Sequence, residues 1–277
     1  MHSRPLFFLF LFALPLAGLQ AQTTREPLIR DVAEPRSSFT EGFRNGMSFT
    51  LLINNFGFGI GAEYRRSISP RTDLLLEAHW SGLKDDTEQS FQYVTGQQVI
   101  PNKQNRVMTF PVMAGVRKRI FAEQISDNFR IHVSGQVGPS FAYAYPYYNQ
   151  DQFSDIPYFF LDDPTTLFPG PVPGRDPIVF PNDALTGLGD GEWITGMSGM
   201  FMIGADFGPE FKHIQSLKLG YFAQYYPDGI QVMEPVRVVG YREGTDTVPA
   251  AYGVVKGSPK QKFFATPMIT LVLGGMW

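Results

Sequence analysis

The sequence predicts an all-β fold: an eight-stranded antiparallel up-and-down transmembrane β-barrel. Two observations carry that expectation. Segments that alternate apolar and polar residues recur eight times between Gly46 and Trp277. The connections between them fall into short turns and long excursions, in near-regular order. Alternation with period two gives a strand one face for each of two environments. A membrane barrel collects its short turns at one end and its long loops at the other.

The chain starts with a basic stretch (His2, Arg4), an apolar run from Leu6 to Leu16 and small residues ending at Ala17-Gly18-Leu19-Gln20-Ala21. Residues 1–21 are expected to be a secretory signal peptide, cut after Ala21. The apolar run falls short of the roughly 20 residues that a membrane-spanning helix needs. Residues 22–45 are polar and mixed, with Pro27 and Pro35, and are expected to form a periplasmic N-terminal segment.

The barrel is expected over residues 46–277. Its first strand is Gly46–Asn54, with Met47, Phe49, Leu51 and Ile53 on one face. Asn54-Asn55-Phe56-Gly57 connects it to the second, Phe58–Arg66. A turn at Ser67–Arg71, punctuated by Pro70, leads to the third, Thr72–Gly82. The fourth is Arg106–Ile120 and the fifth, with the clearest alternation, Phe129–Tyr145. The sixth to eighth are Trp193–Phe207, Ser216–Tyr226 and Lys262–Trp277. Long extracellular loops are expected at residues 84–105, 146–192 and 227–261. The connections after strands two, four and six are short, and only the one after strand one breaks the rule. An even strand count returns both termini to the periplasm.

Alternation alone does not say which face meets lipid. A lipocalin-like barrel would have an apolar interior and an outside rich in Lys and Glu. Here the apolar face is nearly free of charge and carries aromatics toward the strand ends. Trp80, Tyr143, Tyr145, Trp193 and Tyr225 are expected in the outer girdle, and Tyr64, Phe129, Phe207 and Trp277 in the inner one. The polar face holds Gly, Ser, Thr and Gln, with charges of both signs: Glu63, Arg65, Asp73, Glu77, Arg117, Arg119, Arg130, His132, Asp206 and Lys218. Eight strands leave a bore that side chains largely fill, and an unpaired buried charge is costly. These residues are therefore expected to form a charge-paired lumen network, with Arg117, Arg119 and Arg130 near the periplasmic end facing Asp73 and Asp206, and Glu63 and Glu77 deeper.

The exported chain, the eight strands and the final alternation ending in an aromatic resemble the small OmpA/OmpX-like outer-membrane barrels. Two strand segments, Gly61-Ala62-Glu63-Tyr64-Arg65-Arg66 and Thr72-Asp73-Leu74-Leu75-Leu76-Glu77, together with Ala21-Gln22, look more like Bacteroidota barrel proteins grouped with the PorT family. The resemblance spans roughly Gly46 to Trp277 and is one of pattern. It implies a bacterial outer membrane and insertion by the outer-membrane assembly machinery. The last strand (Ile269, Leu271, Leu273, Trp277) would then be the recognition signal.

Composition narrows the function classes. The chain has no cysteine, which excludes thiol catalysis, disulfides and Cys-ligated metals. A net charge of −3 argues against a nucleic-acid partner. His132-Val133-Ser134 resembles the His-x-Ser pair of eight-stranded lipid A deacylases, where the pair acts as base and nucleophile. That family has Asn after the Ser, whereas Gly135 stands here, and His132 lies near the periplasmic start of its strand. His79 and Asp85-Asp86 lie near the outer rim, but their spacing is that of an ordinary loop. The acids of residues 146–192 lack the spacing of a calcium loop. No catalytic site, metal or cofactor is expected. The expected function is a structural or interaction barrel displaying its loops. An outer-leaflet lipid-modifying enzyme and an accessory subunit of a secretion or assembly complex are the alternatives. Expected partners are outer-membrane lipid, the assembly machinery, and a surface or envelope protein.

Overall fold

A computed structural model describes residues 36–92, 98–125, 127–147, 158–160, 185–242 and 251–277. The expected signal peptide lies outside the described residues, as do residues 22–35 of the expected periplasmic segment. The barrel strands are β1 (Asn45–Asn54), β2 (Gly57–Ser69), β3 (Thr72–Leu83), β6 (Asn105–Arg119), β7 (Phe129–Pro146), β9 (Glu192–Phe207), β10 (His213–Ile230) and β13 (Gln261–Met276). Each pairs antiparallel with its chain neighbour, and β1 pairs with β13 from Gly46↔Met276 to Asn54↔Met268. The sheet therefore closes on itself, which leaves no unpaired edge in the bilayer.

The two faces separate cleanly. Met47, Phe49, Leu51 and Ile53 of β1 point outward, while Ser48, Thr50 and Leu52 point inward and are buried. On β13, Ile269, Leu271 and Leu273 are 41–45% exposed beside buried Met268, Thr270 and Val272. Outward charges sit at strand ends, such as Arg66 and Lys118 at the short-turn end. A closed band of exposed Leu, Ile, Val and Phe cannot face water over this extent, so it is the lipid-facing surface of a transmembrane barrel. Trp80, Trp193 and Tyr225 edge it toward the long loops, and Tyr64, Phe129, Phe207 and Trp277 toward the short turns. Tyr145 departs from the expected girdle: it is 2% exposed and covered near the mouth of the barrel.

Strand ends also differ from expectation. β2 continues through Ser67 to Ser69, with register shifting between Ser67 and Ser69, so only Pro70-Arg71 turns. β10 runs through Pro227 to Ile230, because an irregularity between Tyr225 and Ile230 absorbs the missing N–H. The long connections hold sheet of their own. β4 (Phe91–Gln92) pairs with β5 (Gln98–Val99). β8 (Tyr158–Phe160) pairs parallel with β12 (Ala251–Lys256), which pairs antiparallel with β11 (Val236–Arg242). Backbone bonds tie the connections together: Gln104 N–H donates to Val232 O at 2.9 Å, Glu234 N–H to Asn102 O at 2.7 Å and Tyr147 N–H to Gln104 O at 2.8 Å.

Candidate functional site: the lumen-facing residues

The inward residues build stacked layers. At the long-loop end, Phe56, Leu83, Val107, Tyr226, Ile230 and Phe264 pack into one apolar cluster. Tyr226 and Ser140 hydroxyls bond at 2.9 Å within it. Leu52, Met113, Met200, Met202, Phe222 and Met268 form a second apolar cluster inside the barrel. Alternation places Met113 and Phe222 on the polar face, but describing that face as Gly, Ser, Thr and Gln leaves out the apolar packing they make with Leu52, Met200, Met202 and Met268. Leu, Met and Phe at inward positions are marked only by their place in the alternation, since their side-chain chemistry is the same as on the lipid face.

The ion network occupies the lumen toward the short-turn end. Arg117 of β6 is its hub. Its Nε and Nη2 donate to Asp73 Oδ2 at 2.8 and 2.6 Å, and Nη1 donates to Asp206 Oδ1 and Oδ2 at 3.0 and 2.9 Å. The planar guanidinium bridges two strands on either side of its own, which a lysine could not do with fixed geometry. Ser67 Oγ donates to Asp73 at 2.6 Å, and Ser216 Oγ to Asp206. Arg65 pairs with Glu63 at 3.0 Å and reaches Asp206 at 3.5 Å. Lys218 of β10 bonds Glu63 and lies 3.8 Å from Glu77, to which Gln136 donates at 2.9 Å. Glu63, Glu77 and Lys218 are all fully buried.

Arg119 and Arg130 are expected in this network, but the structure gives them other partners. Arg119 pairs with Asp127 at 2.9 Å and donates to Arg36 O at 2.6 Å. Arg130 donates to the backbone oxygens of Asp127 and Gly208 at 2.5 and 2.7 Å, with its guanidinium 4.7 Å from the Phe211 ring centre. Height along a strand is legible from the sequence, but the carbonyls that a turn offers at that height are not. Residues 36–44 belong to the same end: Ser38 bonds Ser67 at 3.2 Å, Arg44 N–H donates to Trp277 O at 3.0 Å, and Phe43 packs on Ile214, Val272 and Met276.

The candidate chemistry is not assembled. His132 Nδ1 is 3.7 Å from Asp206 Oδ1, beyond hydrogen-bonding distance, and neither its ring nitrogens nor Ser134 Oγ has a hydrogen-bond partner. Both residues are 2% exposed inside the lumen, out of reach of a lipid substrate. His79, another inward residue, sits edge-on to Phe222 at 5.0 Å and 4.0 Å from Glu77. Among the described residues no group of acids and histidines is placed to hold a metal.

No protein-family model matches the chain, and no curated protein sequence does. Two solved structures of Ail, the attachment invasion locus protein of Yersinia pestis, are similar to it, one of them in complex with the heparin analogue sucrose octasulfate. They are 11% and 9% identical, with 84% of this chain and 97% of Ail covered and a TM-score of 0.35 in each case. The fold rests on the closed register above, and the bilayer location on the apolar band: this is a small transmembrane β-barrel that fits a bacterial outer membrane.

Proposed function

We propose that the protein is a non-conducting outer-membrane anchor that presents its long connections outside the cell as one joined surface for structural or binding contacts. The observation that carries this reading is the Arg117 bridge. One side chain from β6 joins Asp73 and Asp206 across the bore, with Arg65, Glu63 and Lys218 continuing the network. Charges that satisfy one another offer little to a passing ion, and the apolar cluster at the long-loop end is a second feature that supports a closed bore. The backbone bonds and the β8–β12 pairing between separate connections support a shaped extracellular surface. The affinity with Bacteroidota PorT-like barrels belongs to the same proposal, supported by the segments at residues 61–66 and 72–77, as does reading of the final strand by the assembly machinery. Planar-bilayer recording of the folded, heat-modifiable protein tests the plug. Silence is the expected result, and a large steady conductance would replace the anchor with a pore.

A further inference from the structure

We propose that a groove on the outward face, beneath residues 100–103, binds one anionic, phosphate-bearing lipid taken from the surrounding bilayer. The proposal rests on the reading of the barrel as membrane-inserted. The groove has a volume of about 460 Å³, within the range of small-molecule sites. Its floor is Phe58 and Ile60 of β2, Trp80 and Gly82 of β3 and Met108 of β6. These are alternate residues of the face that meets lipid, at the level where Trp80 marks the interface. Buried Tyr145 and Tyr147 line it at the end of β7, with half-buried Ile100 and buried Lys103 beside them, and the inward-facing Phe56, Leu83 and Val107 border it from the lumen side.

The charge of the lining has one sign. Lys84, Lys103 and Arg106 belong to it and no Asp or Glu does. Glu88 bonds Lys103 at 2.7 Å from outside the lining, and the Arg106 guanidinium lies 4.8 Å from the Tyr147 ring centre. Lys84 is exposed at the end of β3. A small polar solute would gain nothing from the apolar floor, and a neutral lipid nothing from the cations. An acyl chain ending in a phosphate matches both, and it needs no route through water because the floor opens on the bilayer. Gly82 leaves the space for it: a Cβ there would meet only the Phe56 carbonyl oxygen, at 3.5 Å.

The test uses Trp80 as reporter in a Trp193→Phe/Trp277→Phe background, which removes the other two of the chain's 3 tryptophans. The protein is reconstituted in phosphatidylcholine vesicles containing chain-brominated phosphatidic acid or, at the same mole fraction, phosphatidylcholine with identical brominated chains. Phosphatidic acid should quench Trp80 the more strongly. A basic residue beside an anionic headgroup is worth about fivefold in affinity, so Lys84→Gln with Arg106→Gln should remove most of that preference. Gly82→Leu, which grows into the groove, should abolish it. Lys84→Gln alone is a surface change that leaves the packing intact, and it should lower the preference by itself. Equal quenching by the two lipids in the parent protein would overturn the site in favour of ordinary annular contact, and a preference that survives Gly82→Leu would overturn the groove. Absence of quenching by either lipid would instead overturn membrane insertion, and so is distinguishable from failure of the site.

Discussion

Glu63 and Glu77 stand directly opposite each other in the β2–β3 ladder, both pointing inward and both fully buried. Like charges at a cross-strand pair destabilise a sheet. They are tolerated because Lys218 arrives from β10, non-adjacent in the barrel, and holds Glu63 while lying 3.8 Å from Glu77. Gln136 from β7 and Arg65 complete the shell. The contact joins strands that share no hydrogen bonds, so it fixes the bore as well as neutralising it.

Replacing Lys218 with Met should therefore strand two facing carboxylates. The expected loss is about 3–5 kcal/mol, the cost of removing one partner from a buried pair. Adding Glu77→Gln should restore part of it, since one of the two negative charges disappears. Urea unfolding of the four proteins of this cycle gives the coupling. Additive losses would show that Lys218 and Glu77 do not interact.

Arg117→Met should be costly by a similar margin, about 3–5 kcal/mol, because it orphans Asp73 and Asp206 together. Arg119→Met should cost less, since its partner Asp127 is 28% exposed and water can replace the bond. The folded band on an unheated gel, followed over temperature, ranks the two. Equal melting of both variants would remove Arg117 from its position as hub.

Much of this architecture was legible because a period of two leaves a strong mark: Met47, Phe49, Leu51 and Ile53 cannot share a face in any other regular element. The inward charges were legible as a group for the same reason. Which of Arg117, Arg119 and Arg130 takes Asp73 and Asp206 was not. Asp206 and Arg117 come from strands two apart in the barrel, and only closure decides that they meet. The pairing of β8 with β12 left no trace either, since three residues on one long connection meet another long connection. The extension of β10 through Pro227 is not legible either, because a proline at an irregularity removes no ladder bond.

Glycine sets how closely β6 and β7 approach. A Cβ at Gly115 would lie 2.0 Å from the Gly135 carbonyl oxygen and 2.6 Å from the Gln136 Cα. Backbone must move to admit it, so Gly115→Ala should cost about 1–3 kcal/mol, as overpacking does. Gly135 points outward with nothing within 4 Å of an added Cβ, and Gly135→Ala should be neutral. Chemical denaturation of both variants in one detergent is the measurement, and equal midpoints would refute the steric argument.

Export should remove residues 1–21. The mature protein from membranes should begin at Gln22 when sequenced from its N-terminus, and Ala21→Leu should slow processing by placing a large side chain at the cleavage position. Retention of the apolar run from Leu6 to Leu16 in the mature chain would mean an anchor helix instead.

Orientation in the membrane is the last consequence. Both chain ends of the barrel, Asn45 and Met276, lie with the short turns after β2, β6 and β9, whereas β3, β7 and β10 hand the chain to the long connections, residues 84–104, 147–191 and 231–260, at the opposite end. An exported barrel displays its long loops outward, so protease added to intact cells should cut within residues 146–192, where Leu185 is 74% exposed. The strands should be spared, since their backbone is paired throughout the closed sheet. The first connection should resist as well, because Phe56 is 7% exposed in the apolar cluster at that end and Asn55 N–H donates to Thr266 at 3.0 Å. Mass spectrometry of the released peptides locates the cuts. Cleavage that appears only after lysis would place the long connections in the periplasm, and with them any partner that the joined surface binds.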